Sequence, residues 1–111
     1  MAMPHAVSGQ PVPLLPDQVG EFIWQATALF KARDLEVMRL MLPAGKILPE
    51  HQVAGEITVQ CLRGAVDFVC NRQSQRLNAG ELLYLDGGVA HGLVGVEDAV
   101  LLVTIVLHGA A

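Results

Sequence analysis

An all-β domain built from short strands is what this sequence predicts, and three observations carry the prediction. Residues 56–61 alternate strictly between polar and apolar, turn-forming residues recur at short intervals from residue 63 to residue 98, and no apolar period of helical spacing outlasts a single turn. Strands punctuated in this way assemble into a sandwich or a barrel. A chain of 111 residues supplies one core and not two. The organisation read from it is an N-terminal arm over residues 1–20 and a single β-barrel domain over residues 21–111.

The arm carries Pro4, Pro11, Pro13 and Pro16, four of the six prolines in the chain. Each removes a backbone donor and restricts φ, so regular structure is not expected there. Leu14, Leu15 and Val19 are the groups that would pack the arm onto the barrel or onto a second subunit. Residues 26–32 and 35–42 read as strands, the second interrupted by Arg39. In the clearest strand Ile57, Val59 and Cys61 share one face, and Glu56, Thr58 and Gln60 share the other. Arg63-Gly64 reads as a two-residue turn, after which Val66, Phe68 and Cys70 alternate on a returning strand, so these segments are expected to pair as a hairpin. Further breaks fall at residues 71–74, 78–80, 86–88 and 95–98, leaving room only for short strands. The final run, 100–107, is continuously apolar and suits a strand buried on both faces or at an interface.

A turn centred on Arg63-Gly64 sets Ile57, not Cys61, opposite Cys70. Four residues of strand span roughly 13 Å, whereas a disulfide needs Cα atoms within about 7 Å. Two free thiols are expected, in a reducing, cytoplasmic compartment.

Charge and apolar content narrow the partners. The formal net charge is −4, and the seven basic residues are scattered between Lys31 and Arg76, with no stripe to follow a phosphate backbone. Nucleic acid is therefore not an expected partner. The longest apolar stretch, 99–107, is too short to cross a bilayer, and residues 1–5 show no basic segment leading into an apolar one. No membrane partner is expected either. Hydrophobic residues make up 52% of the chain, more than one small barrel encloses, because alternating strands fill an interior with half of their side chains. A homodimer is expected to cover the surplus around Leu82, Leu83, Tyr84, Leu85 and the last strand.

Two glycine-anchored motifs then stand out. In the first, Gly45 is followed after five residues by His51, with Val53, Ile57 and Gly64 at later motif positions; in the second, Gly80 leads through Asp86 and Gly88 to His91 and Gly95. Residues 45–95 resemble the two motifs of the cupin family, in which the positions here held by Val53 and Ile57 carry a His and a Glu, and Asp86 and Gly95 stand where Pro and Asn are usual. The resemblance implies a double-stranded β-helix, or jelly-roll barrel, of the small single-domain RmlC-like kind. It also implies a mouth where three His and one Glu would hold a divalent metal. Only His51 and His91 remain of that set, so the cofactor expected is none, or a weakly bound divalent metal with His51 and His91 as candidate ligands.

Glu50 and Glu56 each lie one residue from a motif position, and on a regular strand that offset turns a side chain to the opposite face. The site expected is a mostly apolar ligand-binding pocket formed by His51, Val53, Ile57, Val59, Cys61, Phe68 and His91. His51 and His91 serve there either as hydrogen-bonding groups or as metal contacts. Cys61 is a small buried residue, or alternatively a soft ligand or nucleophile. Arg39 is a solvated outward group, or an anion anchor if it faces the barrel. Tyr84 is expected to pack, and His5 and His108 to lie on the surface. Two functions compete: a small-molecule-binding barrel of undetermined activity, and a metal-dependent enzyme of the dioxygenase or isomerase type with a reduced ligand set.

Overall fold

The structure is a computed structural model that describes residues 6–17 and 20–107. His5, Val19 and His108 lie outside the described residues. Nine strands form: β1 (Gln25–Lys31), β2 (Leu35–Leu42), β3 (Ile47–His51), β4 (Ile57–Arg63), β5 (Ala65–Cys70), β6 (Gln73–Asn78), β7 (Leu82–Leu85), β8 (His91–Gly95) and β9 (Ala99–Val106). No helix occurs among the described residues. The strands make two antiparallel sheets, ordered β1-β2-β9-β4-β7 and β3-β8-β5-β6, facing one another across the core. This is the double-stranded β-helix that the motifs led us to expect.

One predicted pairing is wrong. β4 and β5 do not form a hairpin: β4 pairs with β7 and β9 in the larger sheet, and β5 pairs with β6 and β8 in the smaller. The chain changes sheet at Gly64, where φ is 78° and a Cβ would collide with the backbone of Asp98 and Ala99. Both strands turn their alternating apolar faces to one interior, and that pattern is the same whether two strands are neighbours in a sheet or face each other across the core. The tight hairpin is instead β5–β6, closed by Asn71 and Arg72 with φ of 52° and 62°. Positive φ at both central residues defines the turn whose twist matches its flanking strands.

The core follows the alternation. Ile57, Val59 and Cys61 of β4 meet Val66 and Phe68 of β5 across the interior, with Leu42 and Leu101 fully buried beside them. β9 lies between β2 and β4, and Ala99, Val100 and Leu101 are all without exposed surface, so this end of the strand is buried on both faces. Both cysteines are free.

Arg39 departs from its expected setting. It lies on the outer face of β2, between Met38 and Leu40 which point inward, yet it is only 6% exposed. Its Nη1 donates to the backbone carbonyl of Leu14 at 3.3 Å. The arm is therefore laid over this side chain, and a solvated arginine is not what the structure contains. The amide of Ala6 also donates to the Leu29 carbonyl at 2.8 Å, tying the arm to β1, while the side chains of Leu14 and Leu15 stay exposed.

Candidate functional site

Strand register brings the two motif histidines together. His51 ends β3, His91 begins β8, and they are direct cross-strand partners with ring centroids 4.5 Å apart and planes tilted by 51°. Phe68 of β5 stacks on His91, its centroid 5.6 Å away and its plane within 7° of parallel. Nδ1 of His91 lies 3.0 Å from the Val89 carbonyl, and Nδ1 of His51 lies 3.5 Å from the Pro49 carbonyl. A neutral imidazole that gives its Nδ1 proton to a carbonyl presents Nε2 as an acceptor.

A bulge makes this placement possible. The β3–β8 ladder pairs Leu48 with Leu93 and then His51 with His91, so three steps on β3 match two on β8. Pro49 has no N–H to give to the ladder, and the extra residue is taken up at Pro49-Glu50. Leu48 and His51 thus both face the interior despite their odd spacing, and Glu50 joins the lining of the mouth. Pro49 and Glu50 stand opposite Gly92, the outward position between Leu93 and His91, so Glu50 borders the mouth as an exposed residue and does not join the histidine pair. Glu56 stays exposed and does not join the site.

The histidines open onto a cavity of about 430 Å³ between the sheets. Its walls come from Met38 and Leu40 of β2, Ile57 and Val59 of β4, Leu93 of β8, and Val103 and Ile105 of β9, with Trp24 at the rim. Of the seven residues expected from sequence, His51, Ile57, Val59, Phe68 and His91 line this cavity, and Val53 and Cys61 do not. Val53 packs against the core, and its carbonyl accepts the Gly88 amide at 2.8 Å, which ties the loop of the first motif to that of the second. Cys61 shares the inward face of Ile57 but sits four residues deeper, where the interior is filled.

Cys61 is wholly enclosed, and its surroundings disfavour the thiolate. Its Sγ is within 3.4 Å of the Arg63 carbonyl and 3.5 Å of the Gly64 carbonyl, at the end of the barrel away from the histidines. Burial pushes its thiol above the usual range, and Glu81 and Glu97 add to the rise against the opposing effect of the Arg63 hydrogen bond. Tyr84 does not pack inward. It is 57% exposed, and its hydroxyl donates to Asp86 Oδ1 at 2.7 Å, a bond that raises the phenol's pKa.

The ligand set does not fit a resident three- or four-ligand metal. Among the described residues, no group of three His, Cys, Asp or Glu side chains is placed to hold an ion. Val53 and Ile57 stand at the two positions where the resemblance implied further ligands, one packed on the core and the other in an apolar wall. Two imidazoles alone leave most of a divalent ion's coordination to other donors.

Sequence reasoning missed the β2 and β9 walls and Trp24. The inward period of β2 was available as a signal, but no sequence pattern says which inward residues border empty space.

No family model and no curated protein matches this chain by sequence. Its structure is similar to several solved ones. A conserved protein of unknown function from Streptococcus pyogenes superposes with a TM-score of 0.78 at 21% identity, covering 98% of this chain and 99% of that one. An RmlC-like cupin protein from Desulfovibrio desulfuricans gives 0.77 at 23% identity, covering 87% and 96%. An RmlC-like cupin family protein with a double-stranded β-helix fold, from Methanocaldococcus jannaschii, gives 0.74 at 14% identity, covering 90% and 94%. The chain has the cupin fold. No helix among its described residues is long and apolar enough to cross a membrane.

Proposed function

We propose that this protein is a small-molecule-binding barrel. In this reading the ligand buries an apolar body between the sheets and gives a hydrogen bond to the histidine pair. The observation that carries it is the chemistry of the cavity: hydrocarbon walls of about 430 Å³ ending in two imidazoles whose Nδ1 atoms lie against backbone carbonyls. That volume falls within the range of about 300–1,000 Å³ usual for small-molecule sites, and a few placed polar groups on apolar walls are how such sites orient a ligand. Trp24, the one tryptophan in the chain, sits at the rim and reports on occupancy. Straight-chain 1-alkanols are the probe. Saturable change in Trp24 emission is expected, with affinity lowered about tenfold in His91→Ala, the loss of one buried hydrogen bond. No saturable response, or an unchanged affinity in the variant, would overturn the proposal.

We also propose that the protein works as a homodimer in a reducing, cytoplasmic setting. The free thiols support the compartment. The outer face of the larger sheet supports the dimer: Leu102 and Leu82 flank Gln60 in one cross-strand row, and Leu82 and Tyr84 are 61% and 57% exposed. Light scattering at micromolar concentration should give twice the chain mass, and Leu82→Asp should halve it while leaving the β signature in circular dichroism. A monomer mass for the unaltered protein refutes this part.

A further inference from the structure

One row of polar side chains crosses all four strands of the smaller sheet. His51 pairs with His91, His91 with Cys70, and Cys70 with Gln73. Directly opposed residues of an antiparallel ladder project to the same face, so the row looks into the barrel. Gln75 follows Gln73 on that face, and the next inward position of β6 is Leu77, which is buried. Two glutamines at inward positions of a barrel strand break the binary pattern that Leu77 obeys. Such breaks concentrate at functional sites.

What these glutamines face is a second pocket of about 270 Å³, between β5–β6 and β7. Cys70, Asn71, Gln73 and Gln75 form one wall, Leu83 and Leu85 stand opposite, and Tyr84 lies at the edge. Phe68 lines both this pocket and the apolar cavity, so one aromatic ring divides the interior into two chambers of different chemistry. The first is hydrocarbon with imidazoles. The second is lined by three carboxamides and a thiol, with no carboxylate and no cation.

We propose that the second chamber is a binding site for a neutral, hydroxyl-rich ring of monosaccharide size. Each carboxamide offers donors and an acceptor, the set that a hydroxyl group matches whichever way its proton turns. The lack of charged lining removes any preference for an ion, and Phe68, Leu83 and Leu85 offer apolar surface to the C–H edges of such a ring. Asn71, Gln73 and Gln75 are exposed, so in the empty site water satisfies them and a hydroxyl replaces that water in kind. The volume is just below the range of about 300–1,000 Å³ typical of drug-sized ligands, which suits one ring and not a chain of them.

Cys70 makes the site testable apart from the apolar cavity. It is the half-buried thiol of this chamber, whereas Cys61 is sealed in the core, so iodoacetamide should modify Cys70 selectively in the folded protein. D-glucose is the probe, and mass spectrometry of the Cys70 peptide is the readout. Glucose should slow alkylation saturably, by about fivefold at four times its Kd, without changing Trp24 emission. In the double variant Gln73→Leu, Gln75→Leu, alkylation should run at the same rate with and without glucose. A circular dichroism spectrum like that of the parent would show the barrel intact. No slowing by glucose overturns the proposal, and so does equal slowing in the double variant, which would reflect a general effect of sugar on the protein surface. Failure of the alkanol titration would remove the first chamber's function and leave this site standing.

Discussion

The mouth and the floor of this barrel are made from the same inward faces of the same strands, yet they differ in everything that bears on chemistry. On β4, Ile57 borders the cavity beside the histidines, while Cys61, four residues on, is wholly enclosed with its thiol against backbone carbonyls. On β9, Ile105 lines the cavity and Leu101 is without exposed surface. Depth along a strand, which alternation does not encode, separates a wall that can meet a ligand from one that can only hold the sheets together.

The largest expected effect breaks the comparison on β9. Leu101→Ala empties a filled site and should cost about 2–5 kcal/mol, whereas Ile105→Ala only widens an existing space and should cost about 1 kcal/mol or less. Urea denaturation of the two variants measures both, and equal losses would mean that the mouth is packed as the floor is. A smaller difference is expected between two glycines near the floor. At Gly64 an added Cβ meets the backbone of Asp98 and Ala99, so Gly64→Ala should cost about 2 kcal/mol or more; at Gly80, where φ is 89° but nothing lies near, about 1 kcal/mol of conformational strain should be the whole effect.

The smallest effect sharpens the chemical contrast. Burial raises the folded-state pKa of Cys61 above its reference value of 9.0, so the folded protein holds the thiol proton more tightly than the unfolded chain does. The stability this provides is fully present below pH 9.0 and is lost as pH rises through the folded value. Thermal midpoints should therefore fall above that pH, and the fall should be shallower in Cys61→Ala. Tyr84, whose pKa is also raised, contributes a fall of the same sign that Tyr84→Phe isolates. An identical alkaline slope in Cys61→Ala and the parent would show that the floor thiol does not titrate with unfolding.

Much of the site was legible in the residues themselves. The resemblance to the cupin motifs placed His51 and His91 in one mouth, and the alternation of 57–61 and 66–70 placed Ile57, Val59 and Phe68 inside. The errors have a common origin. Cys61 has the right periodicity but not the right depth, and Val53, placed by the motif and not by a strand period, lies in the loop between β3 and β4 and packs on the core. Arg39 is covered by an arm twenty-five residues earlier in the chain, a contact no local pattern describes.

By itself the sequence determined the strand periods and the inward face of each central strand, while the pair of mouth histidines and the two lost metal-ligand positions came from the resemblance to the cupin motifs. The periods and inward faces are properties of residue type and local spacing, because side-chain direction on a strand repeats every second residue. Only the tertiary structure decided that β4 and β5 belong to different sheets, that Cys70 and Gln73 extend the histidine row, and that Phe68 divides the interior in two. Those facts depend on which strands pair and in what register, and long-range pairing is set by the packing of the whole barrel, not by any one segment of it.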